Sequence, residues 1–185
     1  MNGDGGSPVI GLEVHAQVRT LSKMFCGCNA AYSGSAPNTH VCAVCAGMPG
    51  ALPVINRLAV ERTIATALAL HCRIPERSKF DRKNYQYPDL PKGYQITQYD
   101  QPIGLGGWLE YAFEGRIERC GIVRVHLEED TGKTIHSMQN ERDVSLVDYN
   151  RSGVPLMEIV SAPEIASPGA ARSYFETLRR ILVYL

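Results

Sequence analysis

The chain is organised around the stretch Val9–Val18, which has the sequence VIGLEVHAQV. Its apolar residues alternate with Gly11, Glu13, His15 and Gln17, and a period of two is typical of a β-strand with one buried face. We therefore expect a strand over residues 9–18. Glu13 and His15 project from its other face, about 7 Å apart along the strand. A carboxylate beside an imidazole is either part of a metal site or an ordinary solvated polar face.

The composition is that of a globular protein. Apolar residues make up 44% of the 185 residues, which allows a sizeable core and excludes disordered and collagen-like chains. Lys plus Arg equals Asp plus Glu at 19 each, so a site for a polyanion must be a local patch. Residues 1–8, MNGDGGSP, are predicted to be a flexible lead without a secretory signal. We expect a cytoplasmic or organellar protein with reduced cysteines and no membrane partner.

The segment 19–53 is predicted to be a zinc-knuckle insertion. Its cysteines form a C-x-C pair and a C-x-x-C pair separated by thirteen residues: Cys26, Cys28, Cys42 and Cys45. Two such pairs match a structural tetrathiolate zinc site, which leaves no position open for a catalytic water. Buried free thiols and a redox C-x-x-C are the alternatives, and His40 is an alternative ligand.

The segment 78–102, SKFDRKNYQYPDLPKGYQITQYDQP, is broken by proline and glycine too often for a long helix or a central strand. We expect a folded loop. Four of its residues are tyrosines, and its cations are Lys79, Arg82, Lys83 and Lys92. Such a loop suits a phosphate or a stacked base, or it packs its tyrosines on the domain surface.

Further elements indicate an α+β protein with a mixed or antiparallel sheet. Strands are expected over 108–112, 116–127, 144–149 and 156–160, a helix over 56–72, and a last helix from Ser167-Pro168. Asn56 and Ser167 are the predicted N-caps. The apolar stripe of the first helix is predicted to contain Val60, Ile64, Ala67, Leu68 and His71. The stripe of the last helix is still open at Leu185, so we expect a fragment of a longer polypeptide.

The run Ile122–Asp130, IVRVHLEED, combines a strand with three acids. Arg124, His126 and Glu128 share one face, opposite Val123, Val125 and Leu127. We expect the strand to end near Glu128, because continuation would turn Glu129 into the core. Adjacent acids repel one another unless a cation compensates them.

Ligands from three predicted strands could converge on one face of a sheet, namely Glu13, His15, Glu128 and Glu158. Oxygen ligands with one imidazole suit Mg²⁺ or Mn²⁺. Asp148, Asn150 and Arg151 lie at or near polar sides of neighbouring strands, and no P-loop or Rossmann motif occurs. The residues therefore predict Mg²⁺-dependent phosphoryl chemistry on an open sheet.

Long motifs resemble the N-terminal catalytic region of the aspartyl/glutamyl-tRNA amidotransferase B-subunit family. They are IGLEVHAQ (10–17), SKMFC (22–26), SKFDRKNYQYPDLPKGYQITQYDQPI (78–103), HLEEDTGK (126–133) and SLVDYNRSGVPLMEIVS (145–161). The resemblance implies a catalytic domain over 9–185 with an α+β fold similar to glutamine synthetase and guanidino kinases. It also implies C-terminal helical and tail domains that grip tRNA and are absent from this sequence.

The resemblance implies a function as well. Members of the family use ATP and Mg²⁺ to phosphorylate the side-chain carboxylate of Glu-tRNA(Gln) or Asp-tRNA(Asn), and ammonia then displaces the phosphate. An amidase partner supplies the ammonia within a heterotrimer that has a small third subunit. The family's Mg²⁺ ligands correspond to Glu13, His15 and Glu128, while Lys79 and Tyr85 belong near the ammonia route. The four cysteines match the zinc-carrying branch of the family.

The remaining candidate contacts to ATP, substrate or ammonia are Arg82, Lys83, Asp148, Asn150, Arg151 and Glu158. Acyl phosphate formation suits the chemistry, because a carboxylate is a poor electrophile and Mg²⁺ neutralises charge on the transferring phosphoryl group. Two other interpretations remain open at this point. One is a non-catalytic zinc module that binds RNA, and the other is a metallohydrolase that uses Glu13 and His15.

Overall fold

The computed structural model describes residue 6, residues 8–139 and residues 142–185. The predicted flexible lead 1–8 therefore lies, apart from residues 6 and 8, outside the described residues. The strands are β1 (Glu13–Gln17), β2 (Asp81–Asn84), β3 (Tyr94–Thr97), β4 (Gly104–Leu105), β5 (Trp108–Phe113), β6 (Arg116–Glu129), β7 (Lys133–Gln139), β8 (Arg142–Asp148) and β9 (Pro155–Ser161). The helices are α1 (Arg57–Ala69) and α2 (Pro168–Tyr184). The predicted α+β class with antiparallel pairing is confirmed.

The main sheet is organised around β6. Its order is β1-β9-β6-β4, and β5 pairs with the first part of β6. A bulge between Ile122 and Arg124 divides β6 between its partners β5 and β9. Val123 was predicted to share the buried face of Val125 and Leu127. It is exposed instead, because a bulge bends a strand and shifts its side chains.

The helices cover the apolar face of the main sheet. Val125, Leu127 and Ile159 are fully buried there. A Cβ at Gly104 would lie 2.7 Å from the Cβ of Ala67 in α1, so glycine permits the helix to approach the sheet this closely. The polar face of β1, β9 and β6 carries the candidate metal ligands.

The first strand is shorter than predicted. Residues 13–17 form β1, while Ile10 makes only an isolated bridge to Ile165. The predicted alternation is nevertheless present, because Val14 and Ala16 are half-buried and Glu13, His15 and Gln17 are exposed.

Both predicted helix caps are confirmed. The side chain of Asn56 accepts hydrogen bonds from the backbone N–H groups of Leu58 and Ala59, and Ser167 accepts one from Ala170. The predicted stripe of α1 is wrong in part: Leu68 is exposed, and His71 lies beyond the helix. The buried positions are Ala59, Thr63, Thr66 and Ala67.

Two hairpins extend the structure. The segment 78–102 is more regular than the loop that was predicted, because β2 and β3 pair within it. Strands β7 and β8 pair over Lys133–Gln139 and Arg142–Asp148. Among the described residues, no helix combines the length and the apolarity that crossing a membrane requires.

Strand β6 ends at Glu129, one residue beyond the predicted end near Glu128, but the reason given for that end is wrong, because Glu129 is buried. The strand continues through Glu129, whose carboxylate is buried against Lys92 at Nζ–Oε distances of 2.7 and 2.8 Å. The backbone N–H of Ile96 also donates to this carboxylate, at 3.0 Å. A buried ammonium and a backbone donor therefore replace the solvent that Glu129 would otherwise need.

Candidate metal centre and reaction cleft

Three neighbouring strands place two histidines and two glutamates on the polar face of the main sheet. The register pairs His15 of β1 with Glu158 of β9, and Glu158 with His126 of β6. Glu128 lies two residues further along β6, so it points to the same side. Antiparallel pairing thus brings together side chains that are far apart in the sequence.

One imidazole and two carboxylates converge within this group. His15 Nε2 lies 3.4 Å from Glu128 Oε1 and 3.5 Å from Glu158 Oε2. The three residues can each offer one ligand atom within 4.8 Å of the others. Glu128 is buried and His15 is exposed, so the group opens toward solvent on the β1 side. Two oxygen ligands and one nitrogen ligand suit a hard divalent cation.

The buried side chain of His126 contacts both carboxylates. Its Nε2 lies 3.0 Å from Glu158 Oε2 and 3.5 Å from Glu128 Oε2. Burial on its own lowers the pKa of His126, but the hydrogen bonds to both glutamates outweigh it and the pKa is raised overall. The hydrogen bond from His126 lowers the pKa of Glu158 despite desolvation, with further help from nearby positive charge. The Glu158 carboxylate is therefore held in its ionised form.

A cleft of about 470 Å³ opens above the cluster, between the main sheet and the β2–β3 hairpin. Thr97 of β3 donates a hydrogen bond of 2.8 Å to Glu128 Oε2 and fixes that carboxylate. The cleft lining is His15, Gln17, Lys83, Tyr85, Gln95, Glu128, Asp130, Thr131, Arg151 and Leu156. Cations and acids therefore share its walls, as expected for a site that handles charged groups.

The four cysteines of the 19–53 segment meet at a second cluster. Their Sγ atoms all lie within 4.8 Å of one another. Cys26 and Cys28 lie on one turn, beside an isolated bridge between Ser22 and Asn29. Cys45 Sγ accepts a hydrogen bond from the backbone N–H of Cys42 at 3.2 Å, which closes the second turn.

The electrostatics of this cluster favour a thiolate. The hydrogen bond from Cys26 lowers the pKa of Cys45 to about 4, against desolvation and with added contributions from the Cys42 backbone and the charge of Lys23. His40 is not in the group, and its ring Nδ1 lies 3.2 Å from the carbonyl oxygen of Asn29. Four converging thiols are the donor set that zinc prefers in structural sites.

Residues 8–185 match the model of the protein family described as GatB/GatE catalytic domain. The chain belongs to this family. It is 62% identical over 177 residues to the aspartyl/glutamyl-tRNA(Asn/Gln) amidotransferase B-subunit of Thermomicrobium roseum, covering 96% of the chain and 37% of that protein. The protein of the same name from Moorella thermoacetica is 59% identical over 177 residues, with the same coverage. The one from Roseiflexus castenholzii is 57% identical over 176 residues, covering 95% of the chain and 36% of that protein. The chain thus spans little more than a third of the length of these relatives.

In this GatB/GatE catalytic domain, Glu13 is not among the three ligands that converge. It shares the polar face of β1, but the register places it opposite Val160, two residues before the His15 pair. Glu158, which the sequence had suggested both as a converging carboxylate and as a substrate contact, is a member of the group. That Glu13 binds Mg²⁺ stays a prediction.

The cations of the 78–102 segment divide between the cleft and its surroundings. Lys83 and Tyr85 line the cleft. Lys79 lies outside the cleft lining, where its Nζ forms ion pairs of 2.8 Å with Asp81 and Asp100. Arg82 stacks over the ring of Tyr94, 4.8 Å from its centroid.

Three of the candidate site residues, Asp148, Asn150 and Arg151, lie at or near the cleft. Arg151 lines the cleft and donates to the backbone oxygens of residues 131 and 132, at 2.9 and 2.7 Å. Asp148 accepts from the backbone N–H groups of Asn38 and Asn150. Asn150 is buried and bonds the cysteine-rich segment through its side chain, at Ala36 and His40. Asp148 and Asn150 therefore connect the segment that carries Arg151 to the cysteine-rich segment.

Sequence reasoning missed the role of His126 and the contribution of Thr97. The alternation of β6 had already placed His126 on the face of Glu128, so this signal was available. Thr97 gave no such signal, because its contact depends on how the β2–β3 hairpin folds over the sheet.

Proposed function

We propose that this domain activates the side-chain carboxylate of Glu-tRNA(Gln) or Asp-tRNA(Asn) by ATP-dependent phosphorylation, so that ammonia can convert it to the amide. The observation that carries the proposal is the convergence of His15, Glu128 and Glu158 beneath a cleft lined by Lys83 and Arg151. The names of the relatives support the reaction class, since they are amidotransferase subunits.

The donor set fits Mg²⁺, and His15, Glu128 and Glu158 would hold it, with Glu13 as a further candidate from the same strand face. The cation supplies charge neutralisation for the transferring phosphoryl group. His126 orients Glu158, and Thr97 orients Glu128, so both carboxylates are fixed before a ligand arrives. Such preorganisation lowers the reorganisation needed during the reaction.

The other cleft residues suit the charged substrates. Lys83 and Arg151 can attract phosphate and the substrate carboxylate into a cleft whose floor is acidic. Arg151 already donates to two backbone carbonyls, so its guanidinium is held in one orientation. Tyr85 offers a hydroxyl at the cleft wall. We propose that Lys79 and Arg82 contact ligands on their way into the site, since Arg82 lies on β2 and Lys79 lies just before it.

We infer that the fold is similar to those of glutamine synthetase and guanidino kinases. An antiparallel sheet with helices against one face and a polar cleft on the other supports this. Such an arrangement leaves one face free for a nucleotide and its metal without any P-loop.

We further propose that Cys26, Cys28, Cys42 and Cys45 bind one structural Zn²⁺. All four ligand positions would be occupied by sulfur, so this metal would take no part in the phosphoryl chemistry. It would instead order the 19–53 segment, which contacts the segment that carries Arg151 through Asn150.

The partners are proposals that rest on the relatives and on the chemistry. An amidase subunit would supply ammonia from glutamine, and a small third subunit would complete the heterotrimer. Mischarged tRNA would be held largely by the additional length that the relatives have. The ammonia must arrive unprotonated, which favours a guarded route between subunits in the cytoplasm over free diffusion.

The alternative of a non-catalytic zinc module that binds RNA is less well supported, because the family description names a catalytic domain. The two hypotheses differ in whether ATP is consumed. Phosphate release that requires mischarged tRNA supports the enzyme, while tRNA binding with no ATP turnover supports the module.

The decisive experiment uses Glu128→Gln in the full-length protein with its amidase partner. The change keeps the shape of the side chain and removes one charge. Amidation should fall by roughly 100-fold or more, the scale for losing one group that stabilises transition-state charge. The partner's glutaminase activity should persist. Glu110→Gln is the matched control, since Glu110 lies in an exposed ion pair with Arg119. Near-normal amidation by Glu128→Gln at limiting Mg²⁺ would contradict the proposal.

A further inference from the structure

Lys23 is a buried lysine beside the cysteine cluster. Only 1% of its surface is exposed. Its backbone N–H donates to the carbonyl of Cys28 at 2.9 Å, so the residue is part of the turn that carries the first cysteine pair. A lysine this deeply buried needs partners for its charge and for all three of its N–H donors.

Within the described part of the chain, three acceptors lie within reach of the ammonium group. They are the carbonyl oxygen of His40 at 2.7 Å, the carbonyl oxygen of Tyr149 at 3.3 Å and Cys45 Sγ at 3.7 Å. The three N–H donors are therefore satisfied only if the sulfur accepts one of them. One carbonyl belongs to the cysteine-rich segment and the other to the residue after β8, and together they hold the ammonium beside the sulfur.

Of the three acceptors, Cys45 Sγ is the one that can carry a negative charge. Among the described residues, Lys23 forms no ion pair with a carboxylate, whereas the other buried lysine side chain, Lys92, pairs with Glu129 at 2.7 Å. Burying an unpaired charge is strongly unfavourable. A tetrathiolate that holds Zn²⁺ carries a net charge of −2, so an adjacent ammonium compensates half of it.

We propose that Lys23 is the positioning and counter-charge residue of the tetrathiolate metal centre, acting through an N–H···S hydrogen bond to Cys45. The inference rests on the proposed zinc site and assigns a role to a residue that is not a ligand. The same side chain joins the metal centre to Tyr149, in the segment that carries Arg151. Partners of this kind orient a metal's ligands and tune its affinity.

The test compares Lys23→Met with wild type in the full-length protein. Zinc affinity, measured by competition with a chromophoric chelator, should fall by about 10- to 100-fold. In the cobalt-substituted protein, the thiolate-to-metal charge-transfer bands should move to lower energy, because Cys45 loses a hydrogen bond. Lys23→Arg keeps the charge and should restore both readouts in large part. Lys133→Met, which removes an exposed lysine on β7, should change neither.

The outcomes separate this inference from the zinc proposal. A wild-type protein without stoichiometric zinc overturns both. A folded Lys23→Met variant with unchanged zinc affinity and cobalt spectrum overturns only the role of Lys23. If Lys23→Met fails to fold by circular dichroism, Lys23→Gln replaces it. Lys23→Gln can still donate to the His40 carbonyl but has no charge, and the same loss of affinity is expected.

Discussion

The two clusters are both compact but are assembled in different ways. In each, the ligand atoms lie within 4.8 Å of one another. The cysteines come from two turns of one segment, residues 26–45, whereas His15, Glu128 and Glu158 come from three strands distributed over most of the chain. The first cluster is therefore set by local spacing, and the second by sheet register. This difference determines what can be learned from the sequence, and how each cluster should respond to mutation.

The largest effect is expected from a substitution that removes one ligand of the cysteine cluster. Cys42→Ser removes one of four sulfur ligands, so stoichiometric zinc should be lost and residues 19–53 should become sensitive to limited proteolysis. The main sheet should stay folded, because most of its core, including Val125, Leu127 and Ile159, lies outside that segment, although Met24 and Phe25 contribute to it. Cys120→Ser is the control, since Cys120 is a buried core thiol that should leave the zinc content unchanged. Global unfolding of Cys42→Ser would show that the two clusters are not separable.

The next effect concerns the ion pair between the clusters. Lys92 and Glu129 are buried next to both, since Glu129 follows Glu128 and lines a cavity with Cys26 and Cys45. Lys92→Met leaves a buried carboxylate unpaired and should lower the free energy of unfolding by about 3–5 kcal/mol. Chemical denaturation measures this loss. The double variant Lys92→Met/Glu129→Leu should recover part of the stability. If Lys92→Met alone were as stable as wild type, the ion pair would have to be hydrated.

Much of the fold was predictable from local signals. Asn56, Ser167-Pro168 and the two cysteine pairs act within a few residues of themselves, and the structure bears them out as caps and as a cluster. The buried face of α1 was less predictable. Thr63 and Thr66 bury their hydroxyls by donating to backbone oxygens one turn earlier, which apolar periodicity alone does not reveal.

The sheet-built site was predictable only in part. Alternation identified His15 and Glu128 as residues of polar strand faces, but no local pattern specifies which strands pair and in what register. The position of Glu129 shows the same limit. Its burial depends on Lys92, a residue of another segment. The sequence around β6 correctly indicated that burying this carboxylate is energetically costly, but it did not reveal the lysine that pairs with it.

A smaller effect is expected from substitutions of Glu158 and Glu13 in the site formed by the main sheet. The resemblance assigns Glu13 to the metal, whereas the geometry brings Glu158 into the group. Glu158→Gln should therefore weaken Mn²⁺ binding more than Glu13→Gln does, because Glu158 also holds His126 and His15. Isothermal titration of both variants gives the order. The reverse order would mean that β1 moves when a metal binds, so that Glu13 replaces Glu158.

The proposed function requires that the polar face of the main sheet hold a divalent cation. The most direct measurement is titration of Mn²⁺, standing for Mg²⁺, into the zinc-loaded full-length protein, followed by electron paramagnetic resonance. Wild type should bind one Mn²⁺ at this site, and Glu128→Gln should bind it roughly tenfold or more weakly. Glu110→Gln should match wild type. Equal Mn²⁺ affinity in wild type and Glu128→Gln would contradict the claim.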